Sequence, residues 1–231
     1  MLTRCPHSDC KETFEVPDDD SLVAAHCAVC VKPMLCRPLA VITKMEERAE
    51  RLSAHVFTSK TVLSPLKEPF IVLAEDIRSL WNVGSIFRTA DGVGVSRLVL
   101  CGITGNPPRK EIAKTSLGAE DTIPWNYVPS ALDALLPLKK LGYQIVGLER
   151  NQSSKSLSEL LSASQIKIPF CLIVGNEVTG LSPEVVQHCD IVTHLPMRGM
   201  KESLNVAVAF GIAAYAITER IDAQALCPTR I

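Results

Sequence analysis

Runs of consecutive apolar residues alternate with helix-like patterns over most of the chain. Continuous apolar runs are typical of parallel strands that are buried on both faces. They occur at 70–74, 96–101, 143–148 and 171–174. Segments with apolar residues at helical spacing, such as 82–93 and 130–140, separate them. This alternation predicts an α/β domain with a mostly parallel sheet and helices on both of its faces.

The stretch 171–217 places polar residues at the ends of two predicted strands. The first strand ends on Gly-Asn-Glu at 175–177, and a second, short strand ends at 196–197. A loop that contains glycine follows, and then a long apolar helix from Leu204 onward. Ligands of open α/β sheets bind beyond the carboxyl ends of the strands, so we expect the chemistry in this stretch.

The first 37 residues carry two short cysteine pairs, which predict a zinc-ribbon-like domain. The pairs are Cys5-x4-Cys10 and Cys27-x2-Cys30, and this spacing suits a tetrahedral four-cysteine zinc site on two knuckle turns. So short a segment buries too little apolar surface to fold alone, and the metal would supply the missing free energy. Free thiols in a frayed arm are the alternative.

The remaining pattern divides the chain further. Residues 38–66 show helical spacing with charged residues between the apolar ones, which indicates a linker helix. Residues 67–222 hold the α/β domain, and 223–231 form a tail. With 231 residues and a hydrophobic fraction of 47%, the chain has enough apolar material for a full core and is not expected to be disordered.

Charge gives little general guidance to partners, because the formal net charge is −1. Locally, the segment 109–119 contains Arg109, Lys110 and Lys114, which either meet phosphates or form the solvated face of a surface helix. No apolar run is long enough to span a bilayer, and the N-terminus lacks the apolar run of a secretory signal. We therefore expect a cytoplasmic protein without a membrane partner.

Several polar residues remain unexplained by secondary structure alone. The fingerprints G-x-G-x-x-G and G-x-x-x-x-G-K-[ST] are missing. A turn and a capped helix start explain 180–183, but they do not explain Asn176 and Glu177 after an apolar strand. Asn205, at the start of a buried helix, needs a hydrogen-bond partner. Arg88, in a largely apolar helix, is expected to be buried or to lie in a cleft with an anionic partner.

Three segments together resemble the motifs of the SpoU (TrmH-like) RNA ribose methyltransferases, in the family's order and spacing. They are N-V-G-S-I-F-R-T-A at 82–90, I-V-G-N-E-V-T-G-L-S at 173–182 and L-P-M-R-G-M-K-E-S-L-N-V-A-V-A at 195–209. The similar region covers about 68–220. The resemblance implies a parallel α/β domain of the SPOUT type, whose C-terminal part forms a deep trefoil knot. It also implies a homodimer that methylates a ribose 2′-hydroxyl in tRNA or rRNA.

The resemblance further implies S-adenosylmethionine as the methyl donor, bound in the knot by main-chain groups of Gly175, Leu195 and Leu204. Four more residues match positions close to the donor. They are Leu148, Glu149, Asn176 and Met197.

By the same resemblance, Arg88 activates the hydroxyl, and other motif residues orient Arg88 and the ribose. These are Asn82, Glu177, Ser203 and Asn205. An arginine side chain stays protonated at physiological pH, so it is a poor base. We therefore expect Arg88 to bind the adjacent phosphate and to favour the developing alkoxide electrostatically. Whether Arg88 serves its own subunit or the partner subunit stays open.

The chain departs from the family pattern at Ala207, where serine is more frequent, and in its N-terminal extension. That extension resembles small four-cysteine ribbons that grip RNA, although a purely structural cap explains it equally well. A non-catalytic, knotted RNA-binding protein that uses the ribbon is one alternative function. A metal-dependent hydrolase that uses Glu177 with His188 or His194 is another, disfavoured because no histidine pair at helical spacing accompanies them.

Overall fold

The computed structural model describes residues 68–221 and, ahead of them, residue 10 and four short strands. Strand β1 (Leu2–Arg4) pairs antiparallel with β2 (Thr13–Glu15), and β3 (Val23–His26) pairs antiparallel with β4 (Pro33–Cys36). The predicted linker helix and tail lie outside the described residues, as do three proposed zinc ligands, Cys5, Cys27 and Cys30.

The main domain is built on a seven-stranded sheet in which every pairing is parallel. Its strand order is β7-β6-β5-β10-β8-β11-β9. The strands are β5 (Phe70–Glu75), β6 (Arg97–Cys101), β7 (Trp125–Val128), β8 (Gln144–Leu148), β9 (Lys155–Ser156), β10 (Phe170–Val174) and β11 (Ile191–His194). The predicted parallel α/β sheet is confirmed.

Helices cover both faces of this sheet. They are α1 (Leu80–Val93), α2 (Lys110–Ser116), α3 (Ala119–Thr122), α4 (Ala131–Lys140), α5 (Leu157–Ser162), α6 (Pro183–His188) and α7 (Val206–Arg220). Alternate side chains of a strand point to opposite faces. Phe70, Val72 and Ala74 of β5 therefore join one apolar cluster with α1 and α7, whereas Ile71 and Leu73 join a second cluster with α4 and α6.

The order of the strands brings four loops to one edge of the sheet. Strand β10 lies between β5 and β8, and β11 lies between β8 and β9. The chain therefore enters the middle of the sheet late, after its flanking strands. Because all strands are parallel, the loops that follow β5, β8, β10 and β11 meet at the carboxyl edge.

Two predicted boundaries near this edge were wrong. The last strand ends at His194 and not at 196–197, since Pro196 has no N–H group to donate to the ladder. The last helix begins at Val206 and not at Leu204. Asn205 is its N-cap, because the Asn205 side chain accepts hydrogen bonds from the N–H groups of the second and third helical residues. Among the described residues, no helix has the length and apolar character needed to cross a bilayer.

Candidate functional site

A cleft opens beyond the carboxyl ends of β8, β10 and β11 and encloses about 800 Å³, counting its open mouth. All seven residues that the sequence places around a cofactor line this cleft. They are Leu148, Glu149, Gly175, Asn176, Leu195, Met197 and Leu204. Their side chains come from three loops that are far apart in sequence. A concave site between loops at the carboxyl ends of parallel strands is a typical place for a small-molecule ligand.

One wall of the cleft depends on Gly175. A Cβ atom on Gly175 would lie within 2.5 Å of the carbonyl oxygen of Gly180 and the main-chain nitrogen of Leu181. The two backbones approach so closely because Asn176 and Gly180 exchange main-chain hydrogen bonds of 2.9 and 3.0 Å. No other residue type fits at 175 without displacing main-chain atoms.

Asn176 holds this wall from within. Its side-chain amide donates to the carbonyl oxygen of Asp76, 2.8 Å away, and its side-chain oxygen accepts from the N–H groups of Val178 and Thr179. Asn176 is buried. Secondary structure alone did not explain Asn176 in the sequence. In the structure, its side chain joins the ends of β5 and β10 and stabilises the conformation of the loop.

The opposite wall is tied by Glu149. Its carboxylate accepts from the N–H of Leu181 at 2.9 Å and from the N–H of Arg150 at 2.9 Å. The Arg150 guanidinium donates in turn to the carbonyl oxygen of Glu202 at 3.3 Å. These bonds link the loop after β8 to the loops after β10 and β11, so the three loops hold one another around the cleft.

Glu177 lies on the side of the cleft that faces α1. Its carboxylate accepts from the N–H groups of Arg78 and Ser79, at 2.8 and 3.0 Å, and from the side-chain amide of Asn82, at 2.8 Å. Arg78 and Ser79 directly precede α1, and Ser79 is its N-cap. The negative charge of Glu177 therefore lies at the positive end of the helix dipole.

A second bond extends this network to α7. The Asn205 amide donates to the side-chain oxygen of Asn82 at 3.0 Å, while the Asn205 oxygen caps α7. Glu177, Asn82 and Asn205 thus form one chain of hydrogen bonds between the cleft and two helices. The partner that Asn205 was expected to need is Asn82.

The ionisation of Glu177 follows from these contacts. Burial opposes the charged form and would raise the pKa of the Glu177 carboxyl. The hydrogen bonds from Arg78, Ser79 and Asn82 outweigh burial and hold the pKa below its ordinary value. A carboxylate that is stabilised in this way is a weak proton acceptor.

The expectation that Arg88 is buried or lies in a cleft was wrong. Arg88 is exposed on α1 and does not line the cleft, and its guanidinium donates no hydrogen bond to any residue that the structure describes. The helix packs through its other face, which includes Val83, Phe87 and Ala90. Ser203 lines the cleft and is exposed.

Two carboxylates at the end of β5 were missed in the sequence. Glu75 is buried and accepts from both the N–H and the hydroxyl of Ser182, at 3.0 and 2.7 Å. Asp76 is also buried and accepts from the N–H of Ile103 at 2.9 Å. Acidic residues directly after a buried strand were the signal that singled out Glu177, and the same signal applies to Glu75 and Asp76.

A metal centre is not evident in the part of the chain that the structure describes. There, no three His, Cys, Asp or Glu side chains are grouped so that they could hold an ion. His188 and His194 contact the carbonyl oxygen of Glu184 and the hydroxyl of Ser154, both at 2.9 Å through Nδ1. The carboxylate of Glu177 is already occupied by N–H donors, so it is not placed to act with either histidine.

Comparisons with known proteins agree with this arrangement. The model of the SpoU rRNA Methylase family matches residues 69–215, more than half of the chain. The tRNA (guanosine(18)-2′-O)-methyltransferase of Aquifex aeolicus is 33% identical over 171 residues, which cover 74% of this chain and 75% of the relative. The 23S rRNA (guanosine-2′-O-)-methyltransferase of Nitrosomonas europaea is 28% identical over 194 residues, which cover 81% and 71%.

A solved structure is similar as well. The AdoMet-bound rRNA methyltransferase from Sinorhizobium meliloti superimposes with a TM-score of 0.63 at 26% identity. The match covers 69% of this chain and 59% of that protein. The similarity therefore concerns the domain that carries the cleft, and this chain spans less than two thirds of the solved protein.

Proposed function

The chain belongs to the SpoU rRNA Methylase family, and we propose that it transfers a methyl group from S-adenosylmethionine to a ribose 2′-hydroxyl in tRNA or rRNA. The observation that carries the proposal is the meeting of three distant segments in one site. The loops after β8, β10 and β11 form the cleft, and the Glu177–Asn82–Asn205 chain connects the cleft to the helix that bears Arg88.

The residues of the cleft fit S-adenosylmethionine. Leu148, Leu195, Leu204 and Val206 supply apolar surface for an adenine ring. The segment 195–205 belongs to no helix or strand, so regular secondary structure does not consume its main-chain donors and acceptors. When bound, S-adenosylmethionine supplies an electrophilic methyl group on a positively charged sulfur.

In this proposal Glu177 positions other groups and does not act as a base. Its lowered pKa and three hydrogen-bond donors make it a poor proton acceptor. It fixes the start of α1 and the side chain of Asn82 instead. Arg88 binds the phosphate next to the target ribose and stabilises the negative charge that develops on the 2′-oxygen. Ser203 and Asn205 lie on the side of the site where the ribose would enter.

We extend the proposal to a homodimer in which the partner subunit supplies Arg88. The helix α7 exposes an apolar stripe of Val208, Ile212 and Tyr215, which are spaced by four and three residues and are each about half exposed. An exposed stripe of this kind is typical of an interface. Arg88 lies outside the cleft of its own chain, which is consistent with a site completed across that interface.

We also propose that the C-terminal segment is knotted and that the N-terminal cysteines bind zinc. The late insertion of β10 and β11 between earlier strands supports the knot. The zinc site rests on the spacing of Cys5, Cys10, Cys27 and Cys30 alone. The ribbon would either select the RNA or cap the domain. A cytoplasmic location likewise remains a prediction from the sequence.

Calorimetry with S-adenosylmethionine tests the cofactor, and mapping of ribose methylation in total RNA, with and without the gene, tests the reaction. We expect one bound donor per chain and the loss of a defined 2′-O-methyl group without the gene. Absence of donor binding would sink the methyltransferase proposal. RNA binding without donor binding would favour the non-catalytic alternative.

Mixing two inactive variants tests the shared site. Arg88→Ala keeps the cleft, and Gly175→Ala keeps the arginine. If the partner supplies Arg88, half of the dimers are mixed and each contains one intact site, so about a quarter of the wild-type activity should return. If each chain uses its own Arg88, mixing should restore nothing.

A further inference from the structure

An exposed tryptophan lies beside the predicted phosphate-binding arginine. Trp81 is the second residue of α1, and 48% of its surface is exposed. Trp81, Ser85 and Arg88 are spaced by four and three residues, so they share one face of the helix. Large aromatic side chains are usually buried in a core or an interface. The half-exposed indole on the helix of the candidate site therefore offers apolar surface to which a ligand can bind.

The tryptophan is held by a close contact between α1 and α2. A Cβ atom on Gly84 would collide with the side chain of Thr115 and the carbonyl oxygen of Ile112. The Thr115 hydroxyl also donates to the carbonyl oxygen of Trp81 at 3.0 Å. The glycine lets the two helices approach closely, and this approach brings Lys114 over the indole. The Lys114 Nζ atom lies 5.5 Å from the ring centroid, a cation–π distance.

The first turns of α1 and α2, with the residues that precede them, are rich in basic residues, although the whole chain has a net charge of −1. Segments 78–88 and 109–117 contain a single acidic residue, Glu111. The same segments contain five basic residues, all of them exposed: Arg78, Arg88, Arg109, Lys110 and Lys114. The sequence did not decide whether the basic segment 109–119 contacts phosphates or forms a solvated helix face. In the structure, Lys114 of this segment lies next to an exposed aromatic ring.

An aromatic ring among cations is the combination that binds single-stranded nucleic acid. Bases stack on aromatic side chains, and cations follow the phosphates. A base in a duplex has both faces covered by its neighbours, so only an unpaired base can stack on an indole. We infer that Trp81, together with Lys114 and Arg88, binds an unpaired nucleotide of the substrate RNA next to the target ribose, with its base stacked on the indole.

This inference rests on the proposed function, and the structure connects the two. Glu177, at the cleft, binds the main chain of Arg78 and Ser79, which directly precede the first turn of α1. Asn82, the neighbour of Trp81, bonds to both Glu177 and Asn205. The indole is thus fixed relative to the cleft. Because Trp81 and Arg88 share one face of α1, a nucleotide stacked on the indole would lie next to the ribose that Arg88 serves, in whichever subunit that site lies.

Fluorescence anisotropy with the full chain tests the inference. The probe is a labelled oligouridylate of about 12 nucleotides, compared with a duplex RNA of the same length. Trp81→Ala should weaken binding of the single strand about tenfold or more, and Trp81→Phe should retain most of it. Lys114→Ala should weaken binding less and lower the salt dependence by about one phosphate contact. Leu141→Ala, which removes an exposed apolar side chain at the end of α4, is the matched control and should change nothing.

Inorganic polyphosphate serves as an anionic probe without bases, and Trp81→Ala should bind it as well as the wild type does. Unchanged binding of the oligonucleotide by Trp81→Ala overturns the inference, as does tighter binding of the duplex or an equal loss of polyphosphate binding. Calorimetry with S-adenosylmethionine on the same variants separates the two proposals. Absence of donor binding by the wild type refutes the methyl-transfer proposal. Weakened binding of the single strand by Trp81→Ala, with intact donor binding, supports both proposals.

Discussion

The cleft and the exposed face of α1 use charged side chains in opposite ways. Around the cleft, Glu75, Glu149 and Glu177 accept hydrogen bonds from main-chain N–H groups, so their negative charges are stabilised within the chain. On the face of α1, the guanidinium of Arg88 reaches solvent, and the nearby Lys114 places its ammonium group over the exposed indole of Trp81. Hydrogen bonds within the chain thus hold the charges of the first region, whereas the cations of the second region are exposed to solvent.

Because of this difference, we expect substitutions in the two regions to change different properties of the protein. Buried charges with several donors fix loops in one geometry, and their loss should affect stability and donor binding. Exposed cations contribute little to folding, and their loss should affect partners and turnover only. Substitutions at four positions test this expectation. They change the cleft, the exposed face of α1, or the hydrogen bonds of Glu177 and Asn205 that connect the two.

The largest effect is expected in the cleft, from Gly175→Ala. The new methyl group would overlap main-chain atoms of Gly180 and Leu181, which cannot move without breaking the bonds between Asn176 and Gly180. We expect donor affinity to fall at least about 100-fold, and stability to fall by about 2 kcal/mol or more. Calorimetry and urea unfolding measure both quantities. Gly199→Ala is the control, because a Cβ atom there meets no heavy atom within 4 Å. Equal behaviour of the two variants would contradict the role of Gly175.

Arg88→Ala breaks the other region and leaves the cleft intact. We expect methyl transfer to fall about 100-fold or more, with donor affinity and melting temperature close to those of the wild type. Arg88→Lys keeps the charge but loses the planar fork, so it should recover only part of the turnover. Radiolabelled methyl transfer to RNA measures the rate. Near-normal turnover of Arg88→Lys would count against the proposed role.

Glu177→Gln cuts the link between the regions. The variant keeps the shape, but it presents an amide where two main-chain N–H groups and the Asn82 amide now donate to a carboxylate. Because Glu177 is partly exposed, we expect a loss of stability of only about 1 to 2 kcal/mol at pH 7. The pKa of Glu177 is lowered in the folded state. Its stabilisation is therefore present above the ordinary glutamate pKa and is lost as the pH falls through the folded value.

Urea unfolding of Glu177→Gln and the wild type at neutral and at acid pH checks this sign, because the gap between the two proteins should close in acid. Glu219→Gln, at the exposed end of α7, is the control and should show no gap at either pH. A gap that widened in acid would contradict the lowered pKa.

Asn205 tests the far end of the same link, with the smallest effect. Asn205→Ala removes the N-cap of α7 and should cost about 1 kcal/mol. Asn205→Asp keeps a capping oxygen but cannot donate to Asn82, so it should restore stability without restoring full turnover. Thermal melts and methyl-transfer rates together distinguish capping from positioning. Full activity of Asn205→Asp would show that the bond to Asn82 is dispensable.

Sequence patterns predicted the regular parts of this structure well. The runs 70–74 and 171–174 became β5 and β10, each with one added residue. Buried parallel strands have a strong local signal, because both faces require apolar side chains. All seven residues that the family resemblance places near the donor line one cleft, because the resemblance carries information about which loops meet at the edge of the sheet.

The polar contacts were less predictable. The roles of Glu75 and Asn176 depend on main-chain groups that are about 100 residues away in sequence, and side-chain identity carries no information about such partners. The exposure of Arg88 was missed because α1 is rich in apolar residues. Which residues of α1 are exposed depends on which face of the helix meets α2 and α7, and that is a property of the assembled domain.

The late entry of β10 into the sheet has a consequence for synthesis on the ribosome. Until Phe170–Val174 has emerged, β5 and β8 have no strand between them, and each presents an unpaired edge. Such edges invite pairing with other chains. The bonds that tie Glu177 and Asn205 to α1 close loops of about a hundred residues and form later still, which predicts slow folding. A nascent chain is therefore unable to form the cleft until the segment up to Val206 has been made.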